Sequence, residues 1–128
     1  IDEANEGDTV YVQSGIYIEN LTFNNKNIVL LGENKETTII DGNQSGSVIV
    51  FEGNETSNAK VENLTIRNGI ADRGAGINLS YADANIHNCN FIDNLRNILC
   101  RESLYTGVTQ SEHTRKSPPL LVRRFFFA

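Results

Sequence analysis

The sequence predicts an all-β fold, a right-handed parallel β-helix in which about four coils stack along one axis. The first observation is a repeated segment, since residues 61–69 return 25 residues later as residues 86–94 with apolar matching apolar. The second is a series of short β-branched segments separated by corners rich in Asn, Asp and Gly. Periods in the twenties are typical of solenoids, in which each repeat buries its apolar face only against its neighbours.

The elements follow in order along the chain. Residues 1–7 have the composition of the last turns of a helix, and Gly7 suits the left-handed conformation that ends many helices. Strands are then predicted at residues 10–12, 16–18, 21–23, 28–31, 38–40, 48–51, 61–67, 77–79 and 86–92. The corners between them use residue types that tolerate left-handed backbone. No helical pattern follows residue 7, so the fold class is all-β.

The repeat also predicts how the coils stack. Ile66 should lie against Phe91 on the inside, because alternate strand residues point inward. Asn63 should lie one strand spacing from Asn88, where the two amides can form a hydrogen-bonded ladder. A shorter copy of the same phrase, residues 19–23, begins 43 residues before residue 62.

A leucine-rich repeat is the alternative solenoid, because residues 86–94 also fit its apolar and Asn pattern. That architecture needs a helical or similar return segment after the strand. Residues 70–84 instead contain Arg-Gly-Ala-Gly-Ile-Asn-Leu-Ser. A parallel β-helix explains both halves of the chain better.

Charge changes abruptly after residue 94. Residues 1–94 hold 5 Lys or Arg and 14 Asp or Glu, whereas residues 95–128 hold 6 and 2. We therefore predict a β-helix fragment at 1–94 and a non-repetitive basic tail at 95–128 that is disordered or foreign to the fold, with a genuine terminal cap or docking segment as the alternative. The acidic part disfavours nucleic acid as a partner, because nucleic acid requires a basic groove. No apolar run approaches the roughly 20 residues of a membrane span.

Five segments carry a family resemblance. Residues 5–20, 26–33 and 37–42 resemble the opening of pectin-lyase-like right-handed β-helix proteins, and also that of pectin methylesterases. Residues 74–77 with 91–94 are similar to the GGAI and FxxN pair of polymorphic outer-membrane and adhesin-like repeats. The resemblance implies that residues 1–6 are the remnant of an N-terminal capping helix. The catalytic aspartates and arginine of the esterases come later in the chain, so no catalytic residue carries over.

The resemblance implies a fragment of a secreted or cell-surface protein with a structural, adhesive or glycan-binding role. Its partner would be a polysaccharide or a cell-surface glycan. The alternative is a polysaccharide-active enzyme, of the pectin lyase or pectin esterase type, whose catalytic coils lie outside this fragment. No cofactor is implied. Calcium is unsupported, because the chain lacks the Gly-Gly-x-Gly-x-Asp repeat that binds it in some β-solenoids.

Carboxylates and arginines are the residue types that polysaccharide chemistry requires. The candidates are Asp41, Asp72, Asp83 and Asp93, with Arg67 and Arg73 as anion stabilisers. Asp41 and Asp93 fall at corners, where turn chemistry explains them. Asp72 and Arg73 lie in a loop on a rigid scaffold, so they are, with Tyr81, the candidate ligand contacts, although a solvated loop explains Asp72 and Arg73 better.

Other chemistry-bearing residues have structural explanations. Tyr11 and Tyr17 would join Tyr81 in a sugar-stacking face, but we expect both to be ordinary strand-surface residues. His87 should be an exposed strand residue. Cys89 occupies an inward stacking position and should be a small buried hydrophobe.

Overall fold

The computed structural model describes residues 1–96, 99–101 and 113–115, and only the backbone of residues 96, 99–101 and 113–115. Strands account for all of the regular structure in this part of the chain, which contains no helix. The strands are β1 (Thr9–Val12), β2 (Gly15–Ile18), β3 (Leu21–Thr22), β4 (Val29–Gly32), β5 (Thr38–Asp41), β6 (Ile49–Glu52), β7 (Lys60–Glu62), β8 (Thr65–Arg67), β9 (Ile70–Ala71), β10 (Ile77–Ser80), β11 (Asn85–His87), β12 (Asn90–Ile92), β13 (Leu95–Arg96), β14 (Leu99–Arg101) and β15 (His113–Arg115).

Three parallel sheets run along the stack. Sheet A has the order β1-β4-β7-β11, sheet B the order β2-β5-β8-β12-β15, and sheet C the order β3-β6-β10-β14, while β9 and β13 form a short fourth sheet. Successive coils each add one strand to sheets A, B and C. The chain therefore passes sheet A four times in about three full turns. This confirms the predicted parallel β-helix and agrees with the predicted number of coils.

The core fills the interior between the three sheets. Inward side chains stack in columns, and one column runs from Tyr17 over Ile40 and Ile66 to Phe91. The last three of these are at most 3% exposed, whereas Tyr17, in the first coil, is only half-buried. Because alternate strand residues face inward, each coil buries its apolar residues only on the coils beside it.

The 25-residue repeat is the structural register of the third and fourth coils. Val61 pairs with Ile86, and Ile66 pairs with Phe91. The shorter copy at residues 19–23 is not equivalent, because β3 belongs to sheet C and β8 to sheet B. Its similarity reflects the same strand and corner composition on a different face.

The predicted asparagine contact is present, but at a corner between sheets A and B, because each of the single strands predicted at 61–67 and 86–92 is divided in two there. Asn63 and Asn88 both have left-handed backbone, with φ of 58° and 53°. The Nδ2 of Asn88 donates to Oδ1 of Asn63 at 2.7 Å. Gly32 lies against this corner, where a Cβ would come within 2.7 Å of Leu64 Cδ2 and closer still to the carbonyl oxygen of Asn63.

The N-terminal segment differs from the prediction of a helix remnant, because residues 2–3 and 6–7 form turns. Seven residues are too few to form a stable helix without strong packing. Their carbonyls are held instead by Lys26, whose Nζ donates to the carbonyl oxygens of Ile1, Asp2 and Ala4 at 2.8–3.1 Å. Gly7 does adopt the predicted left-handed region, with a φ of 87°.

The leucine-rich repeat alternative is wrong for the described part of the chain. Residues 70–84 form β9, β10 and loops rather than a return helix. Among all the residues that the structure describes, no helix is long and apolar enough to cross a membrane.

Past residue 94, β13 pairs with β9, β14 with β10 and β15 with β12. The remaining residues of 95–128 lie outside the described part, so the boundary drawn at residue 94 stays a prediction.

Candidate functional site

The outer surface of sheet C presents a short polar strip. Alternate residues of β6 and β10 are fully buried inside the coil, namely Ile49, Phe51, Ile77 and Leu79. The residues between them face outward, where Val50 lies beside Asn78 and Glu52 beside Ser80. We call Val50, Glu52, Asn78 and Ser80 the sheet C strip. Its backbone is fixed by parallel pairing along both strands, so its side chains project from a rigid platform.

A loop folds back over one end of the sheet C strip. Gly74 has a φ of 60°, and a Cβ there would lie 2.6 Å from the Cα of Asn78. Only glycine fits such a close approach to the strand. Asp72 and Arg73 directly precede this glycine and are exposed. Beneath the loop, the Oδ1 of Asn78 is buried without a hydrogen-bond partner among the described residues.

Tyr81 marks the other end of the strip. Its side chain is 71% exposed, and its backbone is left-handed with a φ of 55°. The neighbouring coil holds this corner, because the backbone N–H of Gly53 donates to the carbonyl oxygen of Ser80 at 3.1 Å. Nine non-glycine residues of the described chain have positive φ, and Tyr81 is the only aromatic one among them. A bulky side chain in this region of backbone conformation is an outlier, which motivates a functional hypothesis for Tyr81.

The structure thus places the three predicted ligand-contact residues around β10. Asp72 and Arg73 come before the strand and Tyr81 directly after it. The loop of Asp72 and Arg73 reaches the strand at Asn78 through Gly74, three residues before Tyr81 along the chain. Sequence reasoning missed Glu52 and Asn78, although the alternation of polar and apolar residues in β6 and β10 would have indicated both.

Asp41 and Arg67, two of the candidate catalytic groups, neutralise each other. Arg67 Nε donates to Asp41 Oδ2 at 2.8 Å, and Asn68 Nδ2 donates to the same oxygen at 2.9 Å. The backbone N–H of Asn43 donates to Oδ1 at 2.8 Å, which is the turn contact expected of a corner aspartate. Burial raises the pKa of Asp41, but these three hydrogen bonds and the charge of Arg67 outweigh it and lower the pKa below 3.8. Such a carboxylate stabilises the corner and is a poor proton donor.

The other two aspartates are also at corners. Asp93 has a φ of 53° and occupies the position of Asn68, whose φ is 57°, as predicted for a turn residue. Asp83 is half-buried, and its backbone N–H donates to the carbonyl oxygen of Glu55 at 2.9 Å. Among the residues that the structure describes, no three His, Cys, Asp or Glu side chains converge as metal ligands do.

The tyrosines do not form one face. Tyr11 lies on the outer surface of sheet A and is 56% exposed, as expected for a strand-surface residue. Tyr17, which was predicted as a surface residue, instead points inward over Ile40, and its hydroxyl donates to the carbonyl oxygen of Gln13 at 2.8 Å. The reason is strand register, since β2 exposes the residues on either side of Tyr17.

His87 and Cys89 lie where the sequence placed them. His87 is exposed on β11, beside a groove of about 220 Å³ lined by Lys60, Glu62, Asn85 and His87 itself. Cys89 is fully buried, with its Sγ 3.4 Å from the carbonyl oxygen of His87. It packs as a small apolar side chain.

Comparison with known proteins gives no assignment. No family model matches this chain, and neither a curated protein nor a solved structure matches it. The sheet C strip and its flanking residues are therefore the basis for a function.

Proposed function

We propose that the chain is part of a secreted or cell-surface protein of the pectin-lyase-like type, and that it binds glycans along the sheet C strip in an adhesive role. The observation that carries this proposal is Tyr81, whose ring is held 71% exposed on left-handed backbone. Asparagine or glycine would hold that corner at lower cost. A residue that opposes local stability at an exposed position is best explained by what its side chain contacts.

The residues beside Tyr81 supply the polar groups that a sugar site requires. An aromatic ring offers an apolar face on which the C–H face of a sugar ring can stack, while polar groups nearby bond its hydroxyls. Ser80 precedes Tyr81 directly, and Glu52 pairs with Ser80 on the next strand. Hydroxyl and carboxylate oxygens of this kind accept hydrogen bonds from sugar hydroxyls.

The shape of the strip favours an extended ligand. Tyr81 follows β10 directly, the loop of Asp72 and Arg73 folds onto the same strand at Asn78, and the four residues of the strand extend over about 10 Å. Several units of a linear glycan can lie along such a strip. The platform is rigid, so binding orders few side chains and loses little conformational entropy.

Charge selects among glycans. Residues 1–94 hold 14 acidic and 5 basic residues, a net charge of −9. A polymer of uronic acids would be repelled by this field, whereas a neutral glycan would not. We therefore propose a neutral glycan as the ligand, bound with little dependence on salt.

A glycan array containing neutral and uronic-acid polymers tests the proposal. We expect binding to neutral glycans that falls about ten-fold or more in Tyr81→Ala, because covering an aromatic ring contributes about 1.5–3 kcal/mol. Tyr11→Ala is the matched control, since Tyr11 is similarly exposed on sheet A. Its binding should equal that of the unaltered chain.

Two outcomes would contradict the proposal. Equal loss in both tyrosine variants would show that the sheet C strip is not the site. Release of reducing ends or unsaturated products from polygalacturonate, measured in parallel, would favour the alternative of a polysaccharide-active enzyme. Abolition of that turnover in Asp72→Asn would assign it to the same loop.

A further inference from the structure

The sheet C strip contains one polar atom that the fold leaves unpaired. Asn78 lies on β10, and its Oδ1 is buried with no hydrogen-bond partner in the part of the chain that the structure describes. Burying an amide oxygen without a partner costs free energy, so such atoms are rare in folded proteins. A group that arrives from outside the chain can supply the missing donor.

The loop before β10 fixes the base of this side chain. Gly74 packs so closely on the strand that a Cβ there would lie 2.6 Å from the Cα of Asn78 and 2.8 Å from its Cβ. The amide at the end of the side chain can still rotate about its last bond, for which two orientations are common. Asn78 as a whole is only half-buried, so a half turn of the amide carries the buried oxygen toward the exposed side.

An apolar side chain lies directly beside Asn78. Val50 is its partner on β6, where it faces outward and is half-buried. The other two residues of the strip, Glu52 and Ser80, are polar. A ligand that covers Asn78 and Val50 together therefore needs a hydrogen-bond donor next to an apolar group.

The acetamido group of an N-acetylated amino sugar has these two features. Its N–H is a donor, and its methyl group is apolar. A sugar hydroxyl can also donate to an amide oxygen, but it would leave Val50 uncovered. The spacing suits a glycan chain, since Asn78 and Ser80 are about 6.6 Å apart along β10 and Tyr81 follows directly. The sugar unit at Asn78 is then next to the unit that stacks on Tyr81.

We infer that the sheet C strip selects glycans that carry N-acetylated amino sugars. The inference rests on the proposed glycan binding and names its ligand class. The acetamido N–H donates to Oδ1 of Asn78, and the acetamido methyl group packs on Val50. Tyr81 stacks on the neighbouring sugar and contributes affinity without this selectivity. N-acetylated amino sugars are uncharged, so the acidic chain does not repel them.

Two matched tetrasaccharides test the inference on the full 128-residue chain. Chitotetraose and cellotetraose have the same backbone, and they differ only in that chitotetraose carries an acetamido group where cellotetraose carries a hydroxyl on each sugar. Calorimetry measures the affinity for each. We expect chitotetraose to bind about ten-fold more tightly, because it gains one hydrogen bond and one buried methyl group.

Variants locate the selectivity. Asn78→Ala should remove most of the preference for chitotetraose, whereas Asn78→Asp, which keeps the oxygen acceptors and lacks the amide N–H, should retain it. Val50→Thr exchanges one methyl group for a hydroxyl and should reduce the preference about three-fold. Val29→Thr, the same exchange on the outer surface of sheet A, is the matched control and should leave it unchanged. Tyr81→Ala should weaken both tetrasaccharides by the same factor.

Equal affinity for the two tetrasaccharides, with both lost in Tyr81→Ala, would overturn the inference and leave the proposed glycan binding intact. Loss of the preference in Asn78→Asp would show that the amide N–H makes the contact, and would also overturn it. The inference fails as well if neither tetrasaccharide binds. In that case, binding of other neutral glycans that depends on Tyr81 would retain the proposed function, and no glycan binding at all would remove both.

Discussion

Replacing Tyr81 with asparagine or alanine separates its cost to the fold from its use at the surface. Both variants remove the ring of a residue that is 71% exposed, so they lose a similar, small amount of packing. They differ in the backbone, because Tyr81 has a φ of 55°. A residue with a Cβ in this region is strained by roughly 1–2 kcal/mol, and asparagine is tolerated there because its side chain bonds locally.

We therefore expect Tyr81→Asn to be about 1 kcal/mol more stable than Tyr81→Ala. With a urea m-value of about 1.5 kcal/mol per molar, the unfolding midpoints of the two variants should differ by about 0.7 M. Both variants should lose glycan binding to the same extent, since neither keeps the ring. Equilibrium urea unfolding, followed by circular dichroism, measures the first difference, and the glycan array measures the second.

Three results would refute this reasoning. If the alanine variant is as stable as the asparagine variant, the corner does not strain the backbone and Tyr81 needs no functional explanation. If both variants bind glycans normally, the ring is not the contact. A variant that gains stability and keeps binding would contradict the link between the two.

Three further predictions concern the scaffold. Asn88→Gly keeps the left-handed corner but removes the hydrogen bond to Asn63, and should lower the free energy of unfolding by about 1–3 kcal/mol in urea titrations. Gly32→Ala should lower the free energy of unfolding by about 3 kcal/mol or more, because the added Cβ would meet the Asn63 carbonyl. Gly46, with a φ of 78°, faces open space, so Gly46→Ala should lower it by only about 1 kcal/mol. Similar melting temperatures for the two variants would contradict this. Since the folded pKa of Asp41 is lowered from 3.8, its carboxylate stabilises the protein above that pH, and the contribution is lost as pH falls below it. Asp41→Asn should therefore reduce the loss of stability measured between pH 5 and 2, and an unchanged pH profile would show that other carboxylates govern it.

The repeat was sufficient to predict the stacking of the third and fourth coils. Residues 61–69 and 86–94 have equal length and matching apolar positions, so Ile66 could only pack on Phe91. The register of the first two coils was harder to predict. In sheet A, β1 and β4 are 20 residues apart in the chain, whereas β4 and β7 are 31 apart. Unequal corners hide the register, and this explains why Tyr17 was assigned to the wrong side of its strand.

The candidate site was predictable only in part. Loops on a rigid scaffold carry function often enough to single out Asp72 and Arg73. The position of Glu52 beside Ser80 depends on pairing between β6 and β10, which lie 28 residues apart in the chain. A local sequence pattern cannot show that these two residues, 28 positions apart, lie side by side.

By itself, the sequence determined the fold class, the 25-residue register and the contact of Asn63 with Asn88, because each follows from the repeat along the chain. Only the tertiary structure decided which side chains share a surface. It paired Asp41 with Arg67, turned Tyr17 inward, and left Tyr81 exposed on strained backbone at the end of the sheet C strip. The physical reason is that neighbours in a solenoid come from different coils, so corner lengths, rather than local preference, set their contacts.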